Sequence, residues 1–336
     1  MKILYAIQAT GNGHISRAME LLPYLEQYGK VDIFLSGANS TLALDAPVKY
    51  RSKGLSLFYT CQGSLNYRKI VRNISPLQIR KEVKDLPVEK YDLVINDFEC
   101  ITSLACAKKK VPSVNFGHQA SFLSANTPRP EKVSRPGEWI LRNYARAPHN
   151  IGLHFQCYDD FIFSPVIKEE ILRAEVRDEG YITVYLPSYC DEELSKTLLP
   201  LKDFHFEIFS HQKQQPKTTG NLSFIPVNKK DFNGSLINCH GIITGGGFET
   251  PAEALYLKKK LMSIPIQGQY EQLCNAAALQ QLGIPVLKRI DDRFADHFSN
   301  WMNNTAAPDI KYEHSTEDIV NELMERCAKP ECMELY

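Results

Sequence analysis

The stretch Thr244-Gly-Gly-Gly-Phe-Glu-Thr-Pro-Ala-Glu253, with Gln267-Gly-Gln-Tyr-Glu-Gln-Leu-Cys-Asn275 behind it, decides how this chain is read. The apolar run Gly241-Ile-Ile feeds three glycines, which open a helix carrying Glu249 and Glu253. Leu261-Met-Ser-Ile-Pro-Ile then leads into a second helix headed by polar groups, so the unit is strand, glycine turn, helix, strand, helix. Gly245, Gly246 and Gly247 allow an anionic group to approach backbone N–H groups at the positive end of a helix. As plain loop filler three consecutive glycines are costly, because of the freedom they have when unfolded. Glu253 falls about two helical turns in, where a carboxylate can accept from two neighbouring sugar hydroxyls. Glu271 and Gln272 are placed to grip further hydroxyls, and Asn275 follows one turn later. Together these residues suit a sugar that carries a diphosphate. Glu249 has a simpler reading, an acid in a first turn favouring the helix dipole.

Working outward, the N-terminus presents a second glycine loop. Lys2–Ile7 reads as a buried strand, followed by Thr10-Gly-Asn-Gly-His14 and a helix over Ser16–Tyr28. Gly11, Gly13 and Arg17 make GxGxxR, without the third glycine of a dinucleotide fingerprint, and the next strand ends Phe34-Leu-Ser-Gly with no acid for a ribose. His14 has the near-neutral pKa of a general base, or is a satisfied polar residue on a loop that turns the chain. Gly117-His-Gln-Ala follows strand Ser113–Phe116; His118 and Gln119 either orient a hydroxyl or phosphate, or cap. Asp97 and Glu99 end the strand Tyr91–Asn96: one of them polarises His14 or meets an acceptor, or both cap the next helix. Ser188, after strand Tyr181–Leu186, either donates to a phosphate or N-caps.

At 336 residues the chain exceeds the roughly 250–300 at which single cores stop growing. Strands alternate with helices throughout, which argues for parallel sheets and an α/β fold. The expected division is 1–165 and 166–336, with a junction in the charged stretch Lys168–Glu179 and a last helix, Thr316–Ala328, packing back on the first lobe. Further strands are expected at Ser56–Cys61 and Pro285–Lys288, and a polar hairpin-like connection at Lys213–Gly220. Residues 1–165 hold 21 Lys+Arg against 14 Asp+Glu, and the remainder 18 against 25. The basic half suits an anionic partner such as a phospholipid surface, or the imbalance is only two solvated faces. No dense basic run alternates with aromatics, so nucleic acid is not expected. The nine cysteines are scattered without zinc spacing, and Asp159-Asp160 and Asp291-Asp292 do not by themselves make a Mg²⁺ site. No metal and no cofactor are expected. With neither a signal peptide nor a spanning segment, the expected location is the cytoplasm, at most the inner face of a membrane.

These residues together resemble the GT-B glycosyltransferases, close to the MurG-like and UDP-glycosyltransferase group. The resemblance is specific over Gly241–Gly283, less so at Gly11–Arg17 and His118-Gln119, and weak elsewhere. It implies two Rossmann-like lobes facing a central cleft, the C-terminal one holding a nucleotide-sugar donor and the N-terminal one an acceptor. By position it carries over Gly13-His14, with His14 as base, and His118-Gln119 in a second loop; the reading of the residues adds Asp97 beside His14 and puts Gly11, Gly13, Arg17, His118 and Gln119 on the acceptor side. The resemblance puts Gly246 and Gly247 at the diphosphate, Glu253 at the ribose and Glu271-Gln272 at sugar hydroxyls, and the reading of the residues adds Ser188, Gly245 and Asn275 to the donor side. Two departures stand out: the first glycine loop is short, and Glu271-Gln272 replaces a frequent Asp-Gln, which leaves the sugar open. The Pro-rich loop Ser124–Pro136 has no counterpart. The activity implied is transfer of a sugar, most simply from a UDP-sugar, to a hydroxyl acceptor. The basic N-terminal half and apolar Phe122-Leu123 favour a lipid-linked or polysaccharide precursor. A non-hydrolysing nucleotide-sugar epimerase and a non-catalytic nucleotide-sugar-binding subunit are the alternatives.

Overall fold

Residues 1–9, 11–37, 42, 44–54 and 75–328 are described by the computed structural model. Two sheets carry the chain. The first is seven-stranded and entirely parallel, in the order β3-β2-β1-β4-β5-β6-β7. Its strands are β1 (Lys2–Gln8), β2 (Lys30–Ser36), β3 (Val48–Ser52), β4 (Leu93–Asp97), β5 (Ser113–Gly117), β6 (His149–Leu153) and β7 (Ile162–Phe163). The second is six-stranded, in the order β10-β11-β9-β8-β12-β13. It comprises β8 (Ile182–Tyr185), β9 (Phe206–Ser210), β10 (Lys217–Thr219), β11 (Leu222–Pro226), β12 (Gly241–Thr244) and β13 (Lys260–Ser263). Only the edge pair β10–β11 runs antiparallel, closing the hairpin expected at Lys213–Gly220. These are two Rossmann-like lobes, as the strand–helix alternation predicts.

The topology explains where a ligand site can form. In each sheet the strand order reverses once, between β1 and β4 in the first and between β8 and β12 in the second. Crossovers leave such a switch point on opposite faces, which opens a crevice beyond the carboxyl ends of those strands. The loop with His14 follows β1 and Asp97 ends β4; Ser188 follows β8 and Gly245 follows β12. All four therefore sit at the switch points.

Burial follows the residue pattern. Ile3 to Ile7 are wholly buried, as a central parallel strand covered on both faces requires. The helix after it, α1 (Asn12–Leu25), starts earlier than Ser16 because Gly11 in extended conformation serves as its N-cap. It buries Ile15, Ala18, Leu21, Leu22 and Leu25. The last helix, Thr316–Ala328, lays Ile319, Val320, Leu323 and Met324 into the same core as Leu21 and Leu25. Asn321 there accepts a 2.6 Å bond from the Tyr28 hydroxyl. Helix Arg135–Asn143 starts inside the Pro-rich stretch Ser124–Pro136, because the Ser134 side chain accepts from Gly137 N–H and Pro136 fits the first turn. Pro285–Lys288 is not a strand; it contributes a single bridge, Ser263 to Val286. The strand expected at Ser56–Cys61 lies outside the described residues.

Leu323→Ala is expected to cost about 2–5 kcal/mol, as for other buried leucines, and to lower the urea midpoint accordingly. Leu77→Ala, at a residue 78% exposed, should change stability by no more than about 0.5 kcal/mol. Equal effects would show that the last helix is not docked on α1.

Candidate active site

Asp97 is the deepest charge at the first switch point, with 0% side-chain exposure. It ends β4, and the next residue, Phe98, takes a left-handed conformation (φ 54°) that a bulky side chain adopts only under constraint. That turn separates two carboxylates which the sequence leaves equivalent. Glu99 turns inward and N-caps the helix Cys100–Lys109, accepting from Ile101 and Thr102 N–H. Asp97 faces the crevice, where the His14 Nδ1 lies 2.8 Å from its Oδ1. Arg17 donates to it from Nε at 3.2 Å and from Nη2 at 2.7 and 2.9 Å. His14 and Arg17 reach one carboxylate because they stand three residues apart on the same helix face.

Burial alone would raise the Asp97 carboxyl, but Arg17 and His14 hold it below its ordinary range. Burial alone would lower His14; the charge and hydrogen bond of Asp97 outweigh it, so the imidazole sits above its usual 6.5. With Nδ1 taken by Asp97, the Nε2 edge is left 3.5 Å from the amide nitrogen of Gln119. Gly117, at φ 125°, lets the chain pass this cluster: a Cβ there would lie 2.9 Å from Asp97 Oδ1 and 3.2 Å from Arg17 Nη2.

Cross-lobe contacts complete the arrangement. Arg17 Nη1 pairs with Glu249 in the first turn of helix Glu249–Tyr256, and a Cβ on Gly13 would run into that same carboxylate. Gln119 donates from Nε2 to Glu271 at 3.1 Å, while its own Oε1 is buried without a partner. His118 sits between the lobes. Its Nδ1 lies 2.9 Å from the Leu153 carbonyl, its Nε2 lies 2.7 Å from Asn275 Oδ1, and its ring stacks on Phe248 at 3.9 Å. Burial holds His118 below its ordinary value despite Glu271 nearby.

The triple-glycine turn is anchored from one side and open on the other. Asn275, wholly buried, donates to the Gly246 carbonyl at 2.9 Å. Gln272 Oε1 accepts from Gly246 N–H at 3.1 Å and Ile266 N–H at 2.9 Å. A Cβ on Gly246 would stand 2.6 Å from the Gln272 carbonyl oxygen, whereas one on Gly247 would meet nothing within 4 Å. A Cβ on Gly11 also meets open space. Glu253, 2% exposed, pairs with Lys168 at 3.0 Å. Ser188 is buried after β8, and the N-cap of the next helix is Cys190.

Several partners here escape sequence reading. Phe248, Lys168 and the Arg17–Glu249 pair act across spans of the chain that no local pattern joins. Phe122 is corrected: it is fully buried under Arg129 and offers no apolar surface. The exposed apolar residues of this region are Val133, Trp139 and Ile140. Among the described residues, the ligand atoms of Cys157, Glu313 and His314 lie within 4.8 Å of one another, a grouping of the kind that can hold a metal, on a segment apart from His14.

Comparison with known proteins gives the family and the fold. The profile of glycosyl transferase family 1 matches residues 1–304. An uncharacterized glycosyltransferase of Methanosarcina acetivorans is 23% identical over 325 residues, covering 84% of this chain and 82% of that one. A UDP-N-acetylglucosamine–N-acetylmuramyl-(pentapeptide) pyrophosphoryl-undecaprenol N-acetylglucosamine transferase of Thermosipho africanus is 31% identical over 104 residues. That match spans 30% of this chain and 30% of the relative's own length. Arabidopsis thaliana UGT89C1 complexed with UDP superposes with a TM-score of 0.59 at 10% identity, covering 97% of this chain and 94% of that one. At this identity the likeness establishes the two-lobed fold.

The packing around the turn yields a contrast. Gly246→Ala must move the Gln272 backbone and is expected to cost about 1–3 kcal/mol, while Gly247→Ala should stay within about 0.5 kcal/mol. Urea unfolding of both variants checks this, and equal losses would contradict the arrangement of the turn.

Proposed function

The chain belongs to glycosyl transferase family 1 and is a glycosyltransferase of the two-lobed GT-B architecture, and on that premise we propose that it moves a sugar from a UDP-sugar to an acceptor hydroxyl, with His14 as general base. The observation that carries this is the His14–Asp97 pair, 2.8 Å apart at a switch point, with Arg17 beside it paired to Glu249 in the helix that follows the glycine turn of the other lobe. His14 Nε2 takes the acceptor proton as the acceptor oxygen attacks the anomeric carbon. The bond from that carbon to the diphosphate oxygen breaks, and the nucleoside diphosphate departs. Asp97 fixes which imidazole nitrogen faces the acceptor and stabilises the imidazolium that forms.

The charge on the departing diphosphate is assigned to the N–H groups of Gly245–Gly247 and the N-terminus of helix Glu249–Tyr256. No Asp-x-Asp closes a strand in the sequence, so the reading routes nothing through a metal ion. Glu253 is assigned to the donor ribose, and Glu271 and Gln119 to sugar or acceptor hydroxyls. UDP is favoured because it is named in both the Thermosipho relative and the Arabidopsis complex.

For the acceptor we favour a lipid-linked hydroxyl, with the enzyme working at the cytoplasmic face of an anionic membrane. The support is the exposed trio Val133, Trp139 and Ile140 beside Lys132, Arg135 and Arg142. That segment adjoins the donor-lobe helix, since Glu138 accepts a 2.8 Å bond from the Tyr270 hydroxyl. Among the described residues no helix is long and apolar enough to cross a membrane.

His14→Ala is expected to lower kcat by about 10²–10⁴ while UDP affinity, read by calorimetry, holds. Because the His14 pKa is raised, wild-type kcat/KM should fall as pH drops through a value above 6.5. Asp97→Asn, which removes the charge that raises it, should move that limb to lower pH and reduce the rate. Full turnover by His14→Ala would end the base assignment. In flotation with anionic vesicles, Trp139→Glu should reduce recovery; unchanged recovery would remove the membrane from the reading.

A further inference from the structure

Lys168 is a cation outside the glycine-loop motifs. It lies in the segment joining the two sheets, just before the short helix Glu169–Leu172, and is 8% exposed. Its Nζ stands 3.0 Å from Oε1 and 3.0 Å from Oε2 of Glu253, and 3.0 Å from Oδ1 of Asn233. An ammonium has three N–H donors, and all three are spent here. The Asn233 amide donates on to Glu170 at 2.6 Å, so the ammonium is fixed from behind.

A carboxylate has about four lone-pair sites, two on each oxygen. Lys168 uses one from each, which leaves one on each oxygen. Two hydroxyls on adjacent carbons, each donating one hydrogen, match that remainder. We infer that Lys168 is a positioning residue for donor recognition: it holds Glu253 as an oriented anion whose two free lone pairs fit the vicinal diol of the donor ribose, an inference that rests on the donor reading above.

Burial supports it. Desolvation pushes the Glu253 carboxyl up, Lys168 opposes this, and Glu249 and Glu20 add to the upward push. Glu20 is partly engaged elsewhere, with Lys229 at 3.5 Å and the Glu169 N–H at 3.0 Å. Without the ammonium, Glu253 is a buried acid among acids and takes a proton. Protonated, it presents a donor where the diol also presents donors.

The test is calorimetric titration of the full chain with UDP and with its 2′,3′-dideoxy analogue. Wild type is expected to prefer UDP by about tenfold or more, on the scale of hydrogen bonds to a charged group. Lys168→Met should bind both nucleotides alike, at the wild-type level for the dideoxy compound, and Lys168→Arg should keep the preference. Lys168→Gln, which is uncharged but keeps two N–H donors, carries the same expectation as Lys168→Met should the latter not fold. If the neutral variants keep the wild-type preference while Glu253→Gln loses it, Lys168 has no positioning role and the ribose assignment of Glu253 stands. If wild type itself binds the two nucleotides equally, or binds neither, the donor reading of Glu253 fails.

Discussion

A carboxylate without water, Asp97, is the constraint around which the N-terminal lobe is arranged. A buried charge persists only when paired and hydrogen-bonded, and removing one partner of such a pair costs about 3–5 kcal/mol. Both partners come from the helix after the neighbouring strand, so the rotation of Asn12–Leu25 is tied to the end of β4. The same pairing selects the glycine at 117 and the left-handed turn at Phe98. It also leaves one Arg17 nitrogen over. That nitrogen meets Glu249, so the charge balance of one lobe is completed by the other.

Glycine does two different things in this cleft, and the distinction bears on function. At 13, 117 and 246 the missing Cβ lets protein approach protein: a carboxylate, an ion pair and a backbone carbonyl occupy the space. At 11 and 247 the space is open. Of the first set, position 13 meets a carboxylate of the other lobe while 117 and 246 meet groups of their own lobe, and the second set leaves open space beside the backbone of its two loops. A count of glycines treats the five alike, yet only the second set leaves room for a ligand to approach the backbone.

The fold was legible because its signals are local. Alternating apolar strands and helices between glycine loops mark parallel sheets, and the order of strands then follows from right-handed crossovers. Helix Phe294–Asn304, which buries Phe294, Phe298 and Trp301, is an addition to the elements expected from the sequence. The edge strand Val48–Ser52, half exposed on alternate residues, had no apolar run to mark it. In the site, the loops holding His14, His118 and Gly245–Gly247 could be found from glycine and position. Which of Asp97 and Glu99 faces the crevice could not, because that depends on one backbone angle at Phe98. Lys168 was invisible for a different reason: its partner lies 85 residues away, and a lysine in a charged junction looks like any solvated one.

The hydrogen bonds around the turn also say what a diphosphate would have to do. Gly246 N–H is not idle; it donates to the Gln272 amide oxygen, which serves Ile266 N–H as well. A phosphate arriving there exchanges a neutral acceptor for an anionic one, and charge-assisted bonds are roughly twice as strong as neutral ones. On the proposed reading that exchange favours a phosphate at the turn, while Gln272 keeps the bond it accepts from Ile266 N–H. Gln119 is in the same position on the other lobe: its nitrogen holds Glu271 while its oxygen has no partner. On the proposed reading a hydroxyl donating to that oxygen gives it a partner, and one donating to Glu271 takes the place of the Gln119 amide. On the proposed reading, amide and carboxylate groups already engaged with one another across the crevice keep it ordered until donor and acceptor hydroxyls replace them. Binding then substitutes one set of polar contacts for another, and most of the specificity comes from where the charges fall.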